Sequence, residues 1–199
     1  MHTVNPVQTG TRAPYSLGSL TNSLTGKSAI VVSASLLVAV CAHLSVPLWF
    51  TPVPLTLSDF AVLLVGLLLG PELAFTALAL YLAEGAAGLP VFSPFSAGGI
   101  AHLLGPNGGY LLAYPFAAAL AGFTVRALKT LPRYAAAAIA ATAATVVILA
   151  AGATWLGVYT HHAAALTLKL AVLPFLPGQV VKIAAAAGTY AALSRWRRA

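Results

Sequence analysis

Residues 58–88 read SDFAVLLVGLLLGPELAFTALALYLAEGAAG, two apolar runs separated only by Gly70 and Pro71. Proline loses no hydrogen bond at the first position of a helix. The stretch therefore predicts one helix that ends near Gly70 and a second that begins at Pro71. Apolar runs of similar character recur about every 20 residues along the chain, which predicts a bundle of apolar helices.

The composition excludes a water-soluble protein. Apolar residues make up 60% of the chain and charged residues only 7%, whereas a soluble domain carries about 25% charged residues. The net charge of +7 would suit a nucleic-acid-binding protein, but the basic residues flank apolar runs and form no stripe. The positive-inside rule explains that distribution better, so we expect contact with membrane lipid and no nucleic-acid partner. Cys41 is the only cysteine and forms no disulfide bond within the chain.

The chain is predicted to contain one transmembrane domain after a short tail. Residues 1–26 are polar and lack the basic-then-apolar order of a secretory signal, so we expect a flexible N-terminal tail. Residues 27–199 are predicted to form an all-α integral membrane domain, a compact bundle of six transmembrane helices with apolar, partly inserted outer loops. The predicted spans are about 28–44, 58–70, 71–88, 108–128, 134–157 and 177–195.

The second span is shorter than the ~20 residues that cross a bilayer. It is either tilted and extended by its neighbours or part of a broken helix buried among others.

The basic residues orient this bundle. With six spans, both termini lie on the same side as the loop between the fourth and fifth spans. That side receives eight of the ten basic residues: Arg12, Lys27, Arg126, Lys129, Arg133, Arg195, Arg197 and Arg198. Positive charge marks the cytoplasmic side, so both termini are predicted to be cytoplasmic. Five spans would split the two terminal clusters across the membrane.

Three loops then face outward, at 45–57, 89–107 and 158–176, and each is rich in Pro, Gly or aromatic residues. Such apolar loops are tolerated at membrane depth only where protein or a cavity satisfies their backbone. Three of the few ionisable residues fall in the outer half of the predicted bundle: Asp59, Glu84 and Lys182. The sequence therefore predicts a binding site there.

Gln179 and Lys182 are three residues apart in a helix expected to begin at Pro177, which puts them on neighbouring ridges of one face. Lys182 either snorkels to the outer interface or faces the bundle interior, where ionisable residues usually mark function. The glutamine favours the second interpretation, because the two side chains would orient a polar ligand. A carboxylate ligand would suit the lysine and the free N–H groups of the helix start.

Two tempting motifs predict no chemistry. The TGKS segment at 25–28 lacks the first glycine of a P-loop and follows no predicted strand, so we expect no nucleotide site. His161 and His162 are adjacent and make poor joint ligands on regular structure, so we expect no metal and no cofactor.

Small residues recur at four-residue spacing in the first span, at Ala29 and Ser33 and again at Ser35 and Ala39. This spacing lets helix backbones approach closely. The pattern either marks an interface with another membrane subunit or arises by chance in an alanine-rich chain.

Four motifs in order carry a family resemblance. They are TPVPLTLSDFAVLLVGLLLGP (51–71), YLAEGAAGLPVF (81–92), LLGPNGGYLLAYP (103–115) and LPFLPGQVVK (173–182). Together they closely resemble the BioY family, the biotin-binding S components of energy-coupling-factor (ECF) vitamin transporters, over about residues 28–195. The resemblance implies a multi-pass protein of a prokaryotic cytoplasmic membrane that captures biotin from outside and catalyses no reaction. It also implies two kinds of partner, a membrane-embedded T component and cytoplasmic ATPase subunits.

The resemblance further implies a ligand site. Family members usually carry P-G-D-x-x-K at the start of the sixth helix, where Asp and Lys face the vitamin, and the matching positions here are Gln179 and Lys182. The loop before the second helix and the segment before the fourth also approach the ligand. They add the other expected site residues: Thr56, Ser58, Asp59, Phe92, Asn107 and Tyr110.

The apolar walls of that site are expected from four aromatic residues, Trp49, Phe50, Phe92 and Phe175. Trp49 suits an interfacial aromatic belt equally well.

Three positions depart from the family pattern: Gln179 replaces the acid, and Ser58–Asp59 replace a common Gln-Thr. We hypothesise that Asp59 supplies the missing acid from another helix and neutralises Lys182. Alternatively, Lys182 stays unpaired and holds the ligand carboxylate, or the exchange means weaker binding, another small vitamin or a biotin relative.

Two rivals from other classes are an intramembrane hydrolase and a purely structural scaffold. A hydrolase needs a nucleophile–base pair, and no serine in the spans has a plausibly placed histidine. A scaffold would leave Asp59, Glu84 and Lys182 without a reason to converge.

Overall fold

The computed structural model describes residues 23–94 and 98–196, and nearly all of the regular structure there is helical. The helices are α1 (Leu24–His43), α2 (Ser58–Leu69), α3 (Pro71–Ala86), α4 (Ile100–Leu104), α5 (Gly108–Ala127), α6 (Arg133–Thr160), α7 (Ala164–Ala171) and α8 (Leu176–Trp196). Two short strands, β1 (Ser45–Val46) and β2 (Leu55–Thr56), pair antiparallel, with Ser45 opposite Thr56.

The prediction of an all-α membrane protein is confirmed, and the six predicted spans coincide within a few residues with α1, α2, α3, α5, α6 and α8. Among the described residues, α1, α5 and α6 are long and apolar enough to cross a membrane. A fourth crossing results if α7 and α8, which are bent by 49°, count as one span. Helices α2 and α3 reach only about 18 and 24 Å at 1.5 Å per residue, so the number six remains a prediction.

The structure differs from the sequence prediction in its details outside these spans. Helix α1 begins at Leu24, inside the segment assigned to the tail, and the remainder of that segment, residues 1–22, lies outside the described residues. The predicted outer loops contain structure of their own: the first contains the β1–β2 pair, the second α4 and the third α7. Backbone pairing of this kind satisfies polar groups that water cannot reach in a membrane.

The centre of the bundle is formed by α5, which packs against α2, α3 and α6. Helices α5 and α6 contribute seven fully buried alanines to the core: Ala117, Ala118, Ala121, Ala137, Ala140, Ala141 and Ala144. Small side chains let the helices approach closely. The resulting van der Waals contacts hold the helices together in a membrane, where the hydrophobic effect does not favour helix–helix contact over contact with lipid.

Helices α2 and α5 make their closest contact through two glycines. A Cβ atom on Gly66 would lie 2.5 Å from the carbonyl oxygen of Ala118, and one on Gly122 would lie 2.6 Å from backbone atoms of Gly70 and Pro71. The two backbones therefore touch without side chains between them. This contact fixes the height and rotation of α2, which carries Ser58 and Asp59 at its other end.

We expect Gly122→Ala to destabilise the bundle by about 1–3 kcal/mol, because the added methyl group overpacks a backbone contact that cannot yield. The measurement is thermal unfolding of the purified chain in detergent. Gly188→Ala on α8 is the matched control, since a Cβ atom there meets nothing within 4 Å and alanine is the better helix former. Equal unfolding temperatures for the two variants would contradict a tight contact between α2 and α5.

Candidate functional site

A cavity lies at the end of the bundle that carries the three predicted outer loops. It contains about 530 Å³ of empty space, counting its open mouth. The polar residues that line it come from several helices and from the connecting segments: Thr56, Ser58, Asp59, Tyr81, Ser93, His102, Asn107, Tyr110, Tyr114 and Gln179.

Asp59 organises the polar wall of this cavity. Its carboxylate accepts hydrogen bonds from Tyr114 Oη at 2.8 Å, from Gln179 Nε2 at 2.6 Å and from Lys182 Nζ at 2.9 Å. The contact with Lys182 is also an ion pair, and the two side chains are only 13% and 8% exposed. A buried charge is tolerated when it is paired and fully hydrogen-bonded, and Asp59 meets both conditions. Its place in the first turn of α2 adds the favourable field of a helix N-terminus.

The network continues through hydroxyl groups. Tyr114 Oη lies 3.0 Å from Ser58 Oγ, and Ser58 Oγ lies 2.5 Å from Thr56 Oγ1. Thr56 is in β2, so the strand pair, α2, α5 and α8 are joined by one chain of hydrogen bonds. Networks of this kind fix side-chain orientation.

Four residues that line the cavity each have one buried side-chain atom without a hydrogen-bond partner within the described residues. These atoms are the hydroxyl oxygens of Tyr81 and Ser93, Asn107 Oδ1 and Gln179 Oε1. Leaving a buried polar atom unpaired costs about 1–3 kcal/mol, so these atoms are positioned to receive a polar ligand. Because a carboxylate only accepts, the amide nitrogen of Gln179 turns toward Asp59 and its oxygen is left for the cavity.

The remaining wall is apolar. Phe175, Leu111, Leu149 and Val53 line it and are almost entirely buried. Tyr110 donates a hydrogen bond to the carbonyl oxygen of Ala171 at 2.7 Å, which fixes the segment before Phe175. Convergent polar groups on an otherwise apolar wall are typical of small-molecule sites.

Most of the predicted site residues line this one cavity: Thr56, Ser58, Asp59, Asn107, Tyr110 and Gln179. Two do not. Lys182 lies behind Asp59 and lines a separate outer groove beside β1 and β2. Phe92 lies behind the wall, edge-to-face on Tyr81 with ring centroids 5.4 Å apart. Both therefore support residues that line the cavity.

The expected convergence of three ionisable residues holds for Asp59 and Lys182 only. Glu84 accepts a hydrogen bond from Ser35 of α1 and is absent from the cavity wall. Of the aromatic residues expected in the walls, Phe175 lines the cavity, but Trp49 and Phe50 are 95% and 41% exposed.

Sequence reasoning missed Tyr81, Ser93, His102 and Tyr114. Tyr110 and Tyr114 are four residues apart on α5, so the signal that would have found the second was the helical spacing from the first. Tyr81 and Tyr114 also fall within two of the motifs that carry the family resemblance.

The small-residue pairs of α1 occupy different faces. Ala29 and Ser33 are exposed and line an apolar groove between α1 and α2. Ser35 is fully buried and Ala39 is 7% exposed, so the prediction that these two face another subunit is wrong. Their spacing from the first pair turns them by about 120° around the helix, toward α3.

Comparisons with known proteins agree on one family. The family model described as the BioY family matches residues 12–199. A probable biotin transporter BioY of Pyrococcus horikoshii is 42% identical over 75% of this chain and 85% of its own length. The biotin transporter BioY of Thermotoga maritima is 34% identical over 76% and 85%. Among solved structures, the S component for biotin from an ECF-type ABC transporter superposes with a TM-score of 0.78 at 27% identity, covering 85% of this chain and 90% of its own.

We expect Lys182→Met to destabilise the bundle by about 3–5 kcal/mol, because it leaves the Asp59 carboxylate buried without a counter-charge. Adding Asp59→Asn to this variant is expected to recover part of the loss. The measurement is a double-mutant cycle of thermal unfolding in detergent, with Lys169→Met as the control because Lys169 is exposed. Additive losses would mean that the two charges are not coupled.

Proposed function

The chain belongs to the BioY family, and we propose that it captures biotin at the outer face of the cytoplasmic membrane and takes it up as the S component of an ECF transporter. It is a transporter subunit and not an enzyme. The observation that carries the proposal is the pair of unpaired amide oxygens, Asn107 Oδ1 and Gln179 Oε1, in a cavity that also offers unpaired hydroxyl groups and an apolar wall.

Biotin has the complementary chemistry. Its ureido group offers two N–H donors and one carbonyl acceptor, its fused rings are apolar, and its tail ends in a carboxylate. The two amide oxygens would accept from the two ureido N–H groups, and the hydroxyl of Tyr81 or Ser93 would donate to the ureido carbonyl. The rings would contact Phe175 and its apolar neighbours.

Lys182 acts indirectly in this proposal. It is paired with Asp59 at 2.9 Å, which disfavours the alternative that it stays free for the ligand carboxylate. Its role is to neutralise Asp59, and Asp59 in turn holds the amide of Gln179 with its oxygen toward the ligand. The glutamine would then accept a ureido hydrogen bond without the charge assistance of an aspartate at this position.

We further propose that all six longer helices cross the membrane with both termini in the cytoplasm. Helix α2 contacts α1, α3, α5, α6 and α8, so protein surrounds most of its short length. The excess of basic residues at the end opposite the cavity supports this orientation, and it opens the cavity outward.

The partners would be a membrane-embedded T component and cytoplasmic ATPase subunits. The apolar groove between α1 and α2 is a candidate surface for the T component, because Ala29 and Ser33 line it and small side chains admit a close helix. It contains about 760 Å³ of empty space, counting its open side.

Biotin binding by the purified chain tests the substrate, and isothermal titration calorimetry is the measurement. We expect Gln179→Ala and Asn107→Ala each to weaken binding about three- to tenfold, since each removes one neutral hydrogen bond. Val180→Ala is the matched control, because Val180 adjoins Gln179 on α8 but is 66% exposed. Unchanged affinity in both variants would reject this site and leave the function standing.

Lipoate separates ring recognition from tail recognition, because it has the same carboxylate tail as biotin and no ureido group. We expect it to compete poorly. Tight binding of another vitamin in place of biotin would instead mean that Ser58, Asp59 and Gln179 have changed the specificity.

The groove makes a separate prediction. Ser33→Leu should reduce co-purification with a T component and leave biotin affinity unchanged, because leucine fills a groove that shares no lining residue with the cavity. Val32→Leu is the control, because Val32 is next to Ser33, is 43% exposed and lies outside the groove. Loss of assembly in both variants would point to a general effect of added bulk.

A further inference from the structure

A second cavity lies at the opposite end of the bundle, where α2 and α5 end, α3 begins and α8 ends. It contains about 510 Å³ of empty space, counting its open side. Its lining is apolar on one side, from Leu67, Leu68 and Val125, and polar on the other, from Arg126, Tyr190 and Ser194. The proposed transport function does not use it.

The guanidinium group of Arg126 lies in this cavity, in space that only a glycine at position 70 leaves open. It lies across Gly70, where a Cβ atom would come within 1.9 Å of Nη2, and Gly70 has a φ of +81° that disfavours other residues. To the residues that the structure describes it makes one hydrogen bond, a long one of 3.4 Å to the carbonyl oxygen of Leu69. Among the described residues no carboxylate lies within 4 Å of it, so most of its N–H donors are available.

Tyr190 provides a second donor. It lines the same cavity, and its hydroxyl makes no hydrogen bond to any residue that the structure describes. Ser194 is occupied, since its hydroxyl donates to the carbonyl oxygen of Tyr190 at 2.5 Å. Arginine and tyrosine beside an apolar wall form a surface for an anion that carries a hydrocarbon chain.

The surroundings favour an anion as well. Four other described basic residues lie at this end of the bundle: Lys27, Lys129, Arg133 and Arg195. Of the three acidic residues in the chain, only Glu72 lies here, and it is exposed and outside the cavity wall. Basic pockets between helices at the membrane surface bind lipid headgroups.

We propose that this cavity binds one anionic phospholipid. Its headgroup phosphate would accept hydrogen bonds from Arg126 and Tyr190, and one acyl chain would lie along Leu67 and Leu68. The site depends on membrane insertion of the bundle and is independent of biotin recognition.

Native mass spectrometry of the full chain in detergent, titrated with phosphatidylglycerol or phosphatidylcholine, tests the proposal. We expect one saturable phosphatidylglycerol molecule and clearly weaker phosphatidylcholine. Arg126→Gln should weaken phosphatidylglycerol about tenfold or more, since it removes a charge-assisted contact, and Tyr190→Phe should weaken it less. Glycerol phosphate should not compete, because it lacks the acyl chains.

Lys129→Gln is the matched control, an exposed cation at the same end that does not line the cavity. Equal weakening in Lys129→Gln and Arg126→Gln would overturn the site in favour of diffuse surface attraction. Equal binding of the two lipids would overturn it too. Unchanged lipid binding by Arg126→Gln, with lost assembly with a T component, would assign the cavity to a protein partner. Each variant is first compared with the parent by thermal unfolding without lipid.

Discussion

The buried carboxylate of Asp59 is the constraint on which the candidate site depends. A charge inside a membrane bundle is stable only when it is neutralised and hydrogen-bonded. Asp59 therefore has to meet Lys182 and Gln179 from α8 and Tyr114 from α5. This requirement fixes the rotation of three helices relative to one another and leaves the oxygen of Gln179 toward the cavity. The glycine contact between α2 and α5 fixes the same arrangement from the other end.

The positions of the long helices could be predicted from sequence, because Pro, Gly and charged residues interrupt the apolar runs at their ends. The rotation of each helix could not. In a soluble protein, alternation of polar and apolar residues indicates the buried face, but these helices are apolar on all sides, so no such pattern exists. For this reason the candidate subunit interface included Ser35, which is fully buried, and Tyr81 was missed although it lines the cavity.

The rare polar residues were better guides than the apolar ones. The pairing of Asp59 with Lys182 was hypothesised from charge alone, and the structure has it. The charges did not indicate which of the two residues lines the cavity. Lys182 was expected there but lies behind Asp59. A sequence can indicate that two opposite charges form a pair. Which of the two lies nearer the ligand depends on how the three helices pack.

The Asp59–Lys182 pair also has an electrical consequence. Whether or not a proton moves between them, the two side chains sum to zero charge, so the pair contributes no net charge in the membrane electric field. For the proposed cargo, the only charge to be translocated is then the carboxylate of biotin. Moving that anion toward a negative interior costs about 2.3 kcal/mol per 100 mV. The neutral Asp59–Lys182 pair does not offset this work, so net accumulation of the vitamin has to draw on an outside source of free energy.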